Sequence, residues 1–463
     1  MAISNNESIL NILKVWYKDG VESLLVRESS ALKQFSFSRV EGKVANFAAL
    51  YSRGGAVSCD WDVAKEKAAK NVRNAEFSVK PGQLFSCYSY NAKEVQASLS
   101  DKGAYMKVAG NKLFAASAAF RQTLAAMLFG TGYGEIGLMH EATAFTANTE
   151  TTIKLHEDES IKIDVGSKLV LKSKIEDVTS KVELEVTEID DEYAKVMPST
   201  DYVATIGDVI CLKGCVSDSG EPLGPIGLAS WLPYKNGREG TEWENYINTT
   251  FSGVNRKVAP SRLCGQFYKP EAEEKKVVSL QKMIRKIRRA GGNGDLVIMN
   301  DKDFFDITQE LAAMNTYYSN TNSKAKREAN IGFEGFSVSY ATNFVENITD
   351  DPDCPQGVFY VLDKATWDYL VYTNAEKYVS DGIAPNQPGK QNPKELENKV
   401  DAKTQYQLLI DDILDVRPAD GGQDGPAVLT TIMFLGSLVC YNPSVNGVGL
   451  FYNADGYTGV LGY

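Results

Sequence analysis

The chain has 463 residues, 43% of them hydrophobic and 24% charged, with a formal net charge of −11. This length predicts two to four lobes with substantial cores and excludes wholesale disorder. The acidic balance excludes a protein that coats nucleic acid by general electrostatics, although a container around nucleic acid stays allowed.

The start, MAISNNESIL, lacks the basic head and apolar run of a secretory signal, and no stretch reaches the ~20 apolar residues of a membrane span. Residues 7–27 place Ile9, Leu10, Leu13, Trp16 and Tyr17, then Val21, Leu24 and Leu25, on a short amphipathic helix or pair broken near Gly20. Such a helix is marginal alone, so it is expected to dock on something else. Residues 40–63 read as extended. Residues 64–74 are polar, with Lys65, Lys67, Lys70 and Arg73 against Glu66. Phe77 and Val79 alternate before Pro81-Gly82, and Phe85 and Cys87 after it. Residues 50–90 therefore read as a long two-stranded excursion with a basic tip. An isolated hairpin is barely stable in water, so this one needs a surface of its own subunit or of a neighbour. The tip fits either an acidic neighbouring surface or a solvated loop.

A long helix is written into 101–129. Tyr105, Val108, Leu113, Ala116, Phe120, Leu124, Met127 and Leu128 make one stripe. Ser100 can cap it, Gly130 and Gly132 can end it, and it would run ~43 Å. From 151 to 215 the pattern changes to alternating runs (IKIDV, KLVLKS, KVELEVTEID, GDVICLKG), a small all-β module with 14 acidic and 8 basic residues. It reads as an insertion.

Residues 216–270 are rich in Gly, Pro and aromatics. Pro270 then opens an expected helix over 271–290, with Glu271, Glu273 and Glu274 at its start and Arg285, Lys286, Arg288 and Arg289 at its end, matching the helix dipole. From Asp295 the pattern is α/β: LVIMN as a buried strand, FFDITQELAAM as a helix, then GFSVSYATNF and GVFYVL as strands. Residues 380–398 form a polar, proline-containing loop. The apolar run 428–441, interrupted by Thr430, Thr431, Gly436 and Ser437, reads as a buried strand.

Few motifs carry chemistry. Gly132-x-Gly134-x-x-Gly137 satisfies the dinucleotide pattern, but it follows a helix where that fingerprint needs a strand. A flexible helix exit explains the glycines. The seven cysteines are odd in number and irregularly spaced, as reduced thiols of a cytosolic product are. Cys211 and Cys215 form a close pair without the second pair or histidine that zinc requires. His140 and His156 stand beside Glu141 and Glu157 without a nucleophile elbow, and read as surface or packing histidines. Asp190-Asp191-Glu192 and Asp350-Asp351-Pro352-Asp353 miss the calcium-loop spacing and read as solvated acidic turns. The basic cluster Arg285–Arg289 is explained by the dipole before nucleic acid need be invoked.

In layout the chain resembles the major capsid proteins of tailed double-stranded DNA phages, which share the Hong Kong-type capsid fold. The residues carrying the resemblance are the arm ESILNILKVWYKDG, the loop GKVANFAALYSRGGAVSCDWDVAKEKA returning through AEFSVKPGQLFSCYSYNAKEV, and the long helix ending in GTGYGEIG. GGNGDLVIMNDKDFFDI, IGFEGFSVSYATNF and VLTTIMFLGSLVCYNPSVNG complete it. The resemblance implies an α+β fold: N-terminal arm 1–49, extended loop 50–98, peripheral domain with spine helix 99–150, inserted β-domain 151–215, peripheral domain continued 216–290, axial domain 291–435 and a C-terminal return 436–463.

It further implies a structural subunit of an icosahedral shell that forms hexamers and pentamers around double-stranded DNA without sequence-specific binding. Scaffolding, portal and decoration proteins would be its partners, and the virion, assembled in the bacterial cytoplasm, its place. No long N-terminal scaffold-like region is evident, so scaffolding is expected on a separate protein. No lysine–asparagine cross-linking pair is identifiable. No catalytic, cofactor or metal residue is expected. Candidate inter-subunit contacts are Trp16, Tyr17, Lys65, Lys67, Lys70, Arg73, Phe77 and Phe85. The rival readings are another virion component, such as a tail tube or decoration protein, and a cytosolic α/β enzyme.

Overall fold

The computed structural model describes residues 29–40, 44–52, 57–68, 73–91, 108–314, 338–340, 343–345, 347–372, 415–418 and 427–452. Two compact units divide them. One takes 83–91, 108–124, 415–418 and 427–435; the other, larger unit takes the remainder. The expected helix at 7–27, including Trp16 and Tyr17, lies outside the described residues, as does Lys70.

In the smaller unit, β4 (Gly82–Asn91) pairs with β23 (Ala427–Cys440), and β22 (Asp415–Pro418) runs antiparallel to β23 from Asp415–Met433 to Pro418–Thr430. The long helix is α2 (Val108–Leu128). At 1.5 Å per residue it is about 32 Å, shorter than the expected span, whose first seven residues lie outside the described ones. Its alanine-rich sequence loses little side-chain entropy on forming helix. Phe120 is buried and meets Phe434 edge-on, with ring centroids 6.4 Å apart.

In the larger unit the first described residues are tied down. Asp351 accepts from Ser29 Oγ (2.6 Å) and Ala31 N (2.9 Å), and β1 (Phe37–Arg39) lies parallel to β21 (Trp367–Val371). β21 continues antiparallel onto the last residues of β23. β2 (Ala45–Ser52) and β3 (Arg73–Val79) form a two-stranded excursion over 45–79, in place of the expected 50–90, with α1 (Trp61–Ala68) between them. The strand after Pro81-Gly82 is not its second leg, because β4 pairs elsewhere.

The helix exit turns into the β module earlier than the expected boundary. Gly134 has φ +71°, and a Cβ there would lie 2.5 Å from Cys215 Sγ, so glycine is required on both counts. β5 (Glu135–Leu138) follows at once, and helix-then-strand is the reverse of the dinucleotide order. After it come β6 (Ala144–Phe145), β7 (Thr151–Lys154), α3 (Glu157–Ser160), β8 (Lys168–Lys172), β9 (Val182–Ile189), β10 (Tyr193–Pro198), β11 (Tyr202–Val203) and β12 (Val209–Leu212). The sheet order is β5-β12-β8-β9-β10-β7, antiparallel throughout. Ile136 and Ile153, from its two edges, share one core with Leu169, Leu184, Val196 and Ile210, so the sheet curls on itself. A second cluster of Leu138, Val170, Val209 and Cys211 covers its other side locally, which is why β8 is buried on both faces.

The α/β part begins with the short helices α4 (Leu228–Trp231), α5 (Gly240–Asn248) and α6 (Pro260–Leu263), and a ribbon of β13 (Thr250–Phe251) with β14 (Val254–Asn255). Its sheet has the order β15 (Gln266–Tyr268), β24 (Gly447–Leu450), β20 (Val358–Leu362), β16 (Leu296–Met299), β19 (Asn347–Asp350). The outer pairs are parallel and the inner ones antiparallel. β17 (Val338–Tyr340) and β18 (Asn343–Val345) form a separate hairpin. Helices α7 (Lys276–Ala290) and α8 (Asp301–Met314) share a core with this sheet: Leu280, Met283, Ile284 and Ile287 meet Val297, Met299, Ile307, Phe359 and Val361.

Two expectations are corrected here. α7 starts at Lys276 rather than after Pro270, because Glu273 adopts φ +57° and breaks the turn. Its first amides, Lys276 N and Val277 N, donate to the Glu310 carboxylate of α8 at 3.2 and 3.3 Å, so the cap comes from another helix. Glu274 instead gathers Tyr268 Oη, Ser279 Oγ and Lys282 Nζ. Burial pushes its carboxyl up, but the hydrogen bonds from Lys282 and Tyr268 outweigh this and hold it at about 2. The second correction concerns 350–353. Asp351 and Asp353 are buried, Asp351 as the anchor for Ser29 and Ala31, so this is no solvated turn.

Candidate assembly surfaces

The β2–β3 arm has a root and a tip with opposite surroundings. At the root, β3 alternates with Ala75, Phe77 and Val79 inward. Phe77 is 0% exposed and packs among Phe47 (5.3 Å between centroids), Trp231 (5.2 Å) and Phe251 (6.5 Å) of its own chain. Trp231 is fixed in turn by Nε1 donating to Leu438 O at 2.8 Å. The candidate contact Phe77 is therefore consumed within the subunit.

The tip is apolar and uncovered. Leu50 is 58% exposed, Val57 92%, Trp61 78% and Val63 39%. Asp60 displays this group: its Oδ1 accepts from Asp62 N (2.8 Å) and Val63 N (3.2 Å), capping α1 and seating Trp61 at the first helical position. Such a cap is worth about 1 kcal/mol. Arg262 donates to Tyr51 O and holds the outer arm to the body. Lys65 and Arg73 are exposed at the same end, while the Lys67 side chain lies outside the described residues. In the smaller unit Phe85 of β4 is 51% exposed.

Fully covering a Leu, Val or Trp side chain is worth about 1.5–3 kcal/mol each. Leu50, Val57 and Trp61 together thus give a contact of several kcal/mol to whatever covers them. Sequence reading placed the basic residues of this tip and missed its apolar ones. The signal was present: SCDWDVAKEKA sets a capping Asp before a helix too short and too polar to bury its own Trp61 and Val63.

The β module is joined to the α/β part by α3. Glu157 pairs with Lys302 at 2.7 Å. Asp158 accepts from Gln356 N (3.0 Å) and Asn300 Nδ2 (3.3 Å), and burial pushes its carboxyl up to about 6. Glu159 accepts from Leu138 N (3.0 Å), His140 Nε2 (2.8 Å) and His156 N (2.8 Å). The hydrogen bond to Glu159 raises the pKa of His140, while burial lowers that of His156. The two histidines thus belong to a structural tie. Cys211 and Cys215 are buried free thiols whose pKa is pushed up by burial, Cys215 to about 12. Among the described residues no helix is long and apolar enough to cross a membrane, and no cluster of acids, histidines and cysteines is arranged to hold a metal.

No protein-family model matches the chain, and no curated protein matches it in sequence. Solved structures do match. The capsid asymmetric unit of cyanophage A-1(L) aligns over 97% of this chain and 98% of its own, with a TM-score of 0.50 and 12% identity. The holo-SrpI encapsulin complex of Synechococcus elongatus PCC 7942 aligns over 98% and 99%, at 0.42 and 6%. A Mycobacterium phage Bobi structure aligns over 98% and 100%, at 0.41 and 10%. The first carries the assignment of fold: the chain has an α+β phage capsid fold, as its layout led one to expect.

Proposed function

We propose that this chain is the structural subunit of an icosahedral phage shell, assembling through hexamers and pentamers around double-stranded DNA. The observation that carries this reading is the β2–β3 arm: a root buried in its own subunit and a capped, apolar, exposed tip, on a chain with a capsid fold. Leu50, Val57 and Trp61 are large apolar side chains left exposed on one arm, and a partner surface that covered them would gain the free energy of their burial. In a closed lattice every copy both offers a tip and receives one, so modest contacts sum over the shell. The role is structural and not catalytic. Scaffolding and portal proteins are its expected helpers, and the virion its place.

Electron microscopy of the purified chain, alone and with its scaffold, tests this. Shells, or rings of five and six copies, are expected. A strict monomer in both conditions would sink the reading. Tubes of one fixed diameter, or binding only to preformed shells, would assign the chain to a tail tube or a decoration protein.

A further inference from the structure

Helix α7 is charged beyond what its dipole explains. Its 15 residues hold Lys276, Lys282, Arg285, Lys286, Arg288 and Arg289 and no acid, in a chain of net charge −11. The dipole favours cations within the last turn, which accounts for Arg288 and Arg289 and leaves the others unexplained. Local partners account for some: Lys276 pairs with Asp303 at 2.7 Å, Lys282 with Glu274 at 2.8 Å, and Lys286 donates to Phe267 O. The side chains of Arg285 and Arg289 are exposed and make no hydrogen bond or ion pair among the described residues. Four positions apart, they stand on one face, about 6 Å apart along the axis. The buried stripe of Leu280, Ile284 and Ile287 faces the other way, into the core.

This face lacks what a protein interface needs. Such interfaces centre on apolar and aromatic anchors, around which arginine too is enriched, and no such anchor lies on α7 beside Arg285 and Arg289. Here the one large exposed apolar residue of α7, Val278, sits at the far end of the helix. Cationic donors one turn apart, with no acid between them, match a surface that touches phosphates. We propose that the outward face of α7, centred on Arg285 and Arg289, contacts the phosphate backbone of the enclosed duplex DNA. It then marks the side of the shell that faces the lumen. The proposal rests on the chain being a shell subunit and adds which surface meets the genome. The contact is independent of sequence and weak in each copy, and it repeats over the lattice. The acidic remainder keeps DNA off the rest of the wall.

The test has two arms. In the first, the unassembled full-length subunit is titrated with a short duplex of arbitrary sequence at several salt concentrations. Arg285→Gln/Arg289→Gln is expected to lose roughly tenfold or more in affinity at low salt, and to flatten the log–log salt slope by about 1.8, two phosphate contacts. Arg285→Lys/Arg289→Lys is expected to keep most of both, and the charge-matched control Lys168→Gln/Lys181→Gln, exposed on the β module, to change neither. In the second arm, an arginine-selective dicarbonyl reagent is applied to wild-type particles. Arg285 and Arg289 are expected to react in empty particles and to be protected in DNA-filled ones, a readout that needs no variant to fold. Unchanged duplex binding by the glutamine variant, or equal reactivity in full and empty particles, overturns the proposal. So does a glutamine variant that binds duplex normally but no longer assembles, which would assign the face to a neighbouring copy or scaffold. Absence of any wild-type particle would instead count against the shell reading.

Discussion

Gly137 and Glu159 share one space: a Cβ built on Gly137 would lie 2.5 Å from the Glu159 carboxyl carbon. The missing side chain on edge strand β5 lets a buried carboxylate reach Leu138 N on one edge of the sheet and His156 N just beyond β7, the other edge. Gly137→Ala should therefore destabilise the β module by about 1–3 kcal/mol, because the carboxylate cannot retreat without orphaning its donors. Hydrogen exchange at the Leu138 and His156 amides checks this. Unchanged protection at both would refute the arrangement.

Asp158 ties the module to the α/β part at a cost that depends on pH. Its carboxyl is raised from 3.8 to about 6 by burial, so between those values the folded state holds more protons than the unfolded one. Its contribution is full below 3.8 and is lost as pH rises through about 6. Denaturant unfolding of wild type and Asp158→Asn across that window should show wild type losing, relative to the variant, on the order of 1–3 kcal/mol. Parallel curves for the two proteins would contradict it.

Phe77 and Trp61, on one arm, should fail in opposite ways. Phe77→Ala empties a site enclosed by Phe47, Trp231 and Phe251 and is expected to cost about 3–5 kcal/mol of subunit stability. Its signature is a lowered melting temperature before any assembly step. A shift within about 0.5 kcal/mol would mean that the root is not packed as described.

Trp61→Ser should leave subunit stability within about 0.5 kcal/mol and reduce assembly instead, since the residue is 78% exposed. Light scattering at matched concentration reads the loss. Normal particle yield would remove Trp61 from the contact.

Much of the layout was legible because it depends on local period: α2, the alternating strands β9 and β10, the all-buried β16 and β20, and the amphipathic α7 each write their burial into spacing. What stayed hidden depends on distant partners. Asp351 reads as a solvated acid until Ser29 and Ala31 are brought to it from the far end of the chain. Phe77 and Phe85 are equivalent in the alternation around Pro81-Gly82, yet one is enclosed by aromatics and the other half in water. The start of α7 moved because its cap lies on α8. At the arm tip, charge drew attention to Lys65 and Arg73, although the apolar neighbours carry the larger free energy.

That cap has a consequence for how the chain folds. Lys276 N finds its acceptor 34 residues away, in a helix that must itself be formed and docked. Neither helix can complete the first turn of α7 alone, so α7 and α8 should enter the native state in one cooperative step, as a single foldon. Native-state exchange would then show Lys276 and Val277 opening together with the buried turn around Ile307, whereas a helix capped within its own segment would fray there independently.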